Sequence, residues 1–284
     1  MKKLLLIGAA FAALIVPAIA AEKPVRVYKR PVVAAAPVSS WSGFYIGGAL
    51  GGKWANNTWT TTSISDLPSV GIIDASSPRN FGTSGFRAGG YAGYNWQLAA
   101  WVVGLEADLA GASNTTTAAG IPGCTIVCFS GFPGPGVDIS SVKMGWDASV
   151  RARAGYLIMP DLLIYGTSGI AWQEIRSSGT CQHSLADPLC TRAGGSPFDT
   201  QSNRDILTGW AIGGGLEKMY GSWMLRAEYR FSQFAHTNDA LPFSAAGVPV
   251  GQDFVRYRLS TQSHIATVGL AYKFGNYYAP VVTK

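Results

Sequence analysis

Apolar and polar residues alternate one by one along most of this chain. In residues 84–97, Phe86, Ala88, Ala92, Tyr94 and Trp96 fall on one parity, and Arg87, Tyr91, Asn95 and Gln97 on the other. Period-two alternation predicts β-strands. Eight such segments occur, at about 43–54, 84–97, 101–111, 141–158, 162–174, 206–219, 222–235 and 259–274. Bulky residues recur at their two ends: Trp146 and Tyr156, Leu162 and Trp172, Trp210 and Tyr220, Trp223 and Phe231. The spacings are ten or eight, all even, so both members of a pair share a strand face.

Ten residues at about 3.3 Å each, tilted about 45°, climb about 23 Å, near the height of the apolar band of a membrane β-barrel with its aromatic girdles. The connections alternate in length. Leu98-Ala99-Ala100, Met159-Pro160-Asp161 and Gly221-Ser222 are tight; 55–83, 112–140, 175–205 and 236–258 are long and rich in Ser, Thr, Asn, Gly and Pro. Short turns at one end and long loops at the other are the barrel pattern, and an even strand number leaves both termini at the periplasmic end. A soluble β-sandwich also alternates, but with strands of about 5–6 residues. Here the apolar face carries almost no charge and the other carries both signs. The pattern predicts an all-β protein, an eight-stranded antiparallel up-and-down transmembrane β-barrel over 41–274 with long outer loops.

The N-terminus fits an exported chain. Lys2 and Lys3 precede an apolar run, Leu4 to Val16, and Ala18-Ile19-Ala20 is a small-x-small cleavage site, so 1–20 read as a signal peptide. That run is short of the roughly 20 apolar residues of a spanning helix. Residues 21–40, rich in Pro, Ala, Val and base, read as an extended periplasmic linker, and 275–284 as a tail. The formal charge of +6 is concentrated at this end: six Lys/Arg and one acid lie in 1–40, leaving 16 bases against 15 acids elsewhere. A nucleic-acid partner would need a basic patch on the folded domain, and none is predicted. The 35 glycines follow no collagen-like period; many sit inside alternating runs, where small residues let a crowded barrel interior close.

Trp41-Ser42-Gly43-Phe44-Tyr45-Ile46-Gly47-Gly48 resembles the opening strand of the small outer-membrane proteins of alphaproteobacteria. These are the outer-membrane immunogenic proteins, or porin-family surface antigens, themselves similar to the OmpA and OmpX type of eight-stranded barrel. Val268-Gly269-Leu270-Ala271-Tyr272-Lys273-Phe274 resembles their terminal strand, and Arg151-Ala152-Arg153-Ala154-Gly155-Tyr156 also fits. The resemblance implies that the strand ending at Phe274 addresses the barrel-assembly machinery. In the family an aromatic commonly ends the chain, whereas ten residues follow Phe274 here. No second, peptidoglycan-binding domain is read in the sequence, so the activity of OmpA is not implied.

The inward parity collects Arg87, Lys143, Arg151, Arg153, Arg226 and Arg230 with Glu106, Asp108, Asp147, Glu217 and Glu228. An eight-stranded barrel is just wide enough for side chains to fill, so these charges must pair. They form either a salt-bridged plug or, with switching pairs, a gated ion path. Four cysteines fall in two outer loops, Cys124 with Cys128 and Cys181 with Cys190. In an oxidising compartment two local disulfides are expected; a metal site using Cys-x3-Cys and His183 is the rival. No catalytic, metal or cofactor site is predicted. There is no Gly-x-Ser-x-Gly elbow, and His264 beside Ser263 or Ser260 is the only rim pair of a lipid-modifying kind. The expected role is structural: a barrel that stabilises the outer membrane, contacts its lipid and lipopolysaccharide, and displays loops to a host or surface ligand. A small-solute pore is the alternative and an adhesin the third reading.

Overall fold

In the computed structural model, residues 40–64, 73–124, 138–182, 198–243 and 253–275 are described. The signal, the linker up to 39, the tail from 276 and Cys128, His183 and Cys190 lie outside them. Ten strands follow in order: β1 Gly43–Ile64, β2 Arg79–Leu98, β3 Trp101–Ala112, β4 Asn114–Ala119, β5 Ile139–Met159, β6 Leu162–Gln182, β7 Phe198–Tyr220, β8 Trp223–Phe234, β9 Thr237–Phe243 and β10 Asp253–Lys273. Eight of them close a ring in the order β1-β2-β3-β5-β6-β7-β8-β10, sealed by antiparallel pairing of β1 with β10. β4 pairs with β5, and β9 with β10. The three tight turns fall where expected, at 99–100, 160–161 and 221–222. Ala99 and Gly221 take positive φ there, 55° and 61°. No helix among the described residues is long and apolar enough to cross a membrane.

In the lower half of the ring the outward side chains are apolar, and the charged ones point inward. Phe44, Trp54, Phe86, Trp96, Trp101, Leu109, Tyr156, Trp210, Tyr220 and Trp223 are all outward and exposed, in two belts about ten residues apart. Above the upper belt the strands continue, and the faces exchange chemistry. On β1 the outward row passes from Phe44, Ile46, Leu50 and Trp54 to Asn56, Thr58, Thr60 and Thr62, while Ala55, Asn57 and Trp59 turn inward and are buried. The segments expected to be long loops are therefore partly strand: β1 gains 55–64, β6 gains 175–182, β7 gains 198–205, and β4 and β9 are added.

The ring does not stay a ring in this upper half. Residues 79–86 of β2 pair only with β1, and 198–208 of β7 only with β6. Among the described residues no backbone ladder joins β2 to β4 or β7 to β9. Two four-stranded sheets result, β2-β1-β10-β9 and β4-β5-β6-β7, facing each other across an apolar core. Trp59, Phe81, Leu241, Val255, Tyr257 and Leu259 line one sheet, and Val142, Ile175 and Leu207 the other. Trp59 stacks on Tyr257 with ring centroids 4.0 Å apart. Ile121 and Cys124 cap this core. Side chains bridge the seams: Thr116 Oγ1 donates to Gly82 O at 2.7 Å, and Asn203 Nδ2 to Ala240 O at 2.8 Å.

Strict alternation breaks within β5, in the middle of the wall. The ladder between β5 and β6 shifts register between Met144 and Asp147. Below the shift Asp147, Ser149, Arg151 and Arg153 are inward; above it Val142 and Met144 are inward and fully buried. Lys143 is consequently exposed on the outer surface, not in the interior charge set. The extra residue of a bulge reverses which parity faces in, and this corrects the expectation that Lys143 faces the interior.

Candidate functional site: the filled interior

The interior is packed in three tiers. At the short-turn end, Trp41 is fully buried among Tyr45, Val102, Leu163, Met219, Met224 and Ala271. Its indole Nε1 donates to Pro160 O at 3.1 Å, and its backbone N to Gln97 Oε1 at 2.8 Å. Tyr45, Tyr91 and Tyr165 form the roof of this tier, each lying over a glycine: Tyr45 over Gly93 and Tyr165 over Gly215 of the adjacent strand, and Tyr91 across β1 over Gly269 of β10. A side chain at any of those glycines would occupy the space of the phenol, which explains glycine inside a strand better than any turn does.

Above the tyrosines lie the ions. Glu106 accepts from Tyr45 Oη at 2.7 Å, from Arg151 Nη2 at 2.9 Å and from both terminal nitrogens of Arg226 at 2.9 and 2.6 Å. Glu217 accepts from Arg153 Nη2 at 2.5 Å and Arg226 Nε at 2.7 Å. The Arg226 guanidinium sits 4.2 Å over the Tyr91 ring, and that of Arg153 4.3 Å over Tyr165. One step higher, Asp147 accepts from Lys53 Nζ at 2.8 Å, Arg87 Nη2 at 2.6 Å and Arg230 Nη2 at 3.1 Å. Asp108 accepts from Arg87 Nη2 at 2.6 Å, Arg230 Nη1 at 2.7 Å and the Ser149 hydroxyl. Arg151 joins the two groups, reaching Glu228 at 2.7 Å and Asp108 at 3.6 Å. Each carboxylate thus meets at least one guanidinium, the condition under which buried charge is tolerated. The third tier is the apolar core between the two sheets.

The structure brings together ten of the eleven residues expected in the interior network and excludes Lys143. It adds Lys53 and Gln173, whose side chains hydrogen-bond to each other. Lys53 was legible in the sequence, since it shares parity with Tyr45 and Gly51; its position one residue from the belt residue Trp54 hid it. Cys124 is disulfide-bonded and buried in the cap. Cys128, Cys190 and the side chain of Cys181 lie outside the described residues. His264 is outward, its Nδ1 2.7 Å from Tyr229 Oη, whereas Ser263 is inward and buried. The two stand on opposite faces of β10. Among the described residues no group of three or more His, Cys, Asp or Glu side chains could hold a metal.

Residues 7–274 match the outer membrane protein beta-barrel domain family. The chain belongs to that family. The 31 kDa outer-membrane immunogenic protein of Brucella melitensis biotype 1 is 31% identical over 262 residues, covering 90% of this chain and 93% of that one. The 25 kDa outer-membrane immunogenic protein of Brucella abortus biovar 1 is 30% identical over 279 residues, covering 96% and 99%. The 22 kDa outer membrane protein of Rhizobium leguminosarum bv. viciae is 28% identical, covering 70% and 66%. Among solved structures, OprG from Pseudomonas aeruginosa aligns with a TM-score of 0.42 and 12% identity, covering 82% of this chain and 97% of that one. Ail, the attachment invasion locus protein of Yersinia pestis, aligns with a TM-score of 0.37 and 14% identity, covering 82% and 99%. As a member of the outer membrane β-barrel family the protein resides in the outer membrane, its belted lower half in the bilayer.

Proposed function

We propose that this barrel is a non-conducting structural protein of the outer membrane that carries a folded, surface-exposed platform. The observation that carries the reading is the continuous filling of the interior: an apolar plug around Trp41, eleven charged side chains in mutual contact, and an apolar core above them. An ion crossing it would have to shed water three times, twice against apolar walls. The platform, above the bilayer, is the part available to a host or surface ligand, in keeping with relatives named as immunogenic proteins. No catalytic role is assigned. The terminal strand ending at Phe274, whose ring lies outward 5.8 Å from that of Phe44, is the proposed address for barrel assembly.

Single-channel recording of the refolded protein in a planar bilayer tests this, after a heat-modifiable gel shift has established a closed barrel. Silence is expected. Unitary steps that change on Arg151→Ala would replace the reading with a gated ion path, because Arg151 already contacts three acids and can exchange among them.

A further inference from the structure

Three bases stand side by side on the outer surface of β5, β6 and β7. Lys143 is the cross-strand partner of Arg176, and Arg176 of Arg204. All three point outward, with the side chains of Arg176 and Arg204 52% and 57% exposed. Like charges directly opposite each other destabilise a sheet. Among the described residues one acid serves the row: Glu174 lies 2.6 Å from Arg204 Nε and 3.5 Å from Arg176 Nε. The row therefore keeps an excess of positive charge, and the bulge at 144–147 is what turns Lys143 out to join it.

The neighbours of the row are ordered by chemistry. Below it are Trp172, Ile206 and Trp210, the last two more than half exposed. Above it is a row of hydroxyls, Ser141, Ser178 and Ser202 in cross-strand register, with Ser141 and Ser178 Oγ atoms 2.7 Å apart. Arg176 follows Trp172 by four residues, a climb of about 9 Å for a strand tilted about 45°. Ascending this face, one meets apolar rings, then cations, then hydroxyls. An anionic glycolipid presents acyl chains, then phosphates, then sugars in the same order and at the same scale.

We propose that the outer face of β5, β6 and β7 is a binding site for a phosphorylated glycolipid of the outer leaflet. Its phosphates lie on Lys143, Arg176 and Arg204, its acyl chains against Trp172, Ile206 and Trp210, and its first sugars on the serine row. Glu174 opposes the phosphate and tunes the site, so its loss strengthens binding.

The test is binding of bis-phosphorylated lipid A to the full refolded chain in zwitterionic micelles, with dephosphorylated lipid A and inorganic phosphate as the other probes. Each base near an anionic lipid surface contributes about fivefold. Lys143→Gln/Arg176→Gln/Arg204→Gln is therefore expected to weaken binding of the phosphorylated form about a hundredfold, and Arg204→Gln alone about fivefold. Arg258→Gln, an outward base on the other sheet, should leave it unchanged. Glu174→Gln should tighten it severalfold, a gain that damage to the fold cannot produce. Equal affinity for the dephosphorylated lipid, or no weakening in an Arg204→Gln protein that passes the gel-shift check, would overturn the proposal. Competition by millimolar inorganic phosphate without dependence on acyl chains would assign the site to free phosphate and overturn the lipid.

Discussion

At the scale of single residues, the interior is legible as a set but not as a circuit. Parity picked out Arg87, Arg151, Arg153, Arg226 and Arg230 and their acids because a charge cannot face lipid. It could not pair them, since Glu106 and Arg226 are 120 positions apart and meet only across the ring. Lys143 misled for a physical reason: a bulge adds one residue without altering composition. Removing one partner from such a network leaves its neighbours charged and dry. Glu106→Gln, which removes the carboxylate that Arg151 and Arg226 share and leaves Arg151 with Glu228 and Asp108 and Arg226 with Glu217, is expected to cost about 3–5 kcal/mol, read as a lower urea midpoint of the gel-shifted form. Outside the bilayer, Asp205 is held up at about 6 by burial and by a hydrogen bond with, and the charge of, Asp239. The folded state thus binds this proton more tightly than the unfolded one. Its contribution is present below the usual carboxylate range and is lost as pH rises through about 6. Lowering pH from 7 to 5 should therefore raise the protease resistance of the upper half. Asp205→Asn should raise it at pH 7 and flatten the dependence.

At the scale of elements, the outward apolar residues of β1, β6 and β7 give out at Trp54, Trp172 and Ile206, close to the strand ends expected at 54, 174 and 206, and the chain runs on as strand beyond all three. The alternation never breaks there. Its sign does, because the surroundings change from hydrocarbon to water while the lumen changes from ionic to apolar. A test for one constant apolar face has to fail at that boundary, and the Ser, Thr and Asn of the outward row then look like loop. The upper core depends on Trp59, fully buried and stacked on Tyr257. Trp59→Ala should cost about 3–5 kcal/mol. The loss should be local: new protease cleavage in the upper strands, with the heat-modifiable shift of the lower ring retained. Phe274→Ser should act at the other end, lowering the yield of assembled barrel in the outer membrane and leaving the in-vitro stability of refolded protein within about 1 kcal/mol, since an exposed strand-end side chain is weakly coupled to the core.

At the scale of the whole molecule, eight-fold closure and membrane location were readable because belts, turn lengths and charge segregation each require the other. The division of the upper half into two sheets was not, since it depends on which ladders are missing. The breaks fall where β3 and β8 end, at Ala112 and Phe234, and where β4 and β9 take over on the opposite side of each seam. An upper half built of strands also has a definite height. Ten residues beyond Trp54, tilted about 45°, carry Ile64 about 23 Å above the belt. A rigid mast of that length outreaches a short sugar coat and is submerged by a long one. Whether an antibody or a protease reaches the Ile121–Cys124 cap should then depend on the glycan length of the strain and not on the amount of protein it makes.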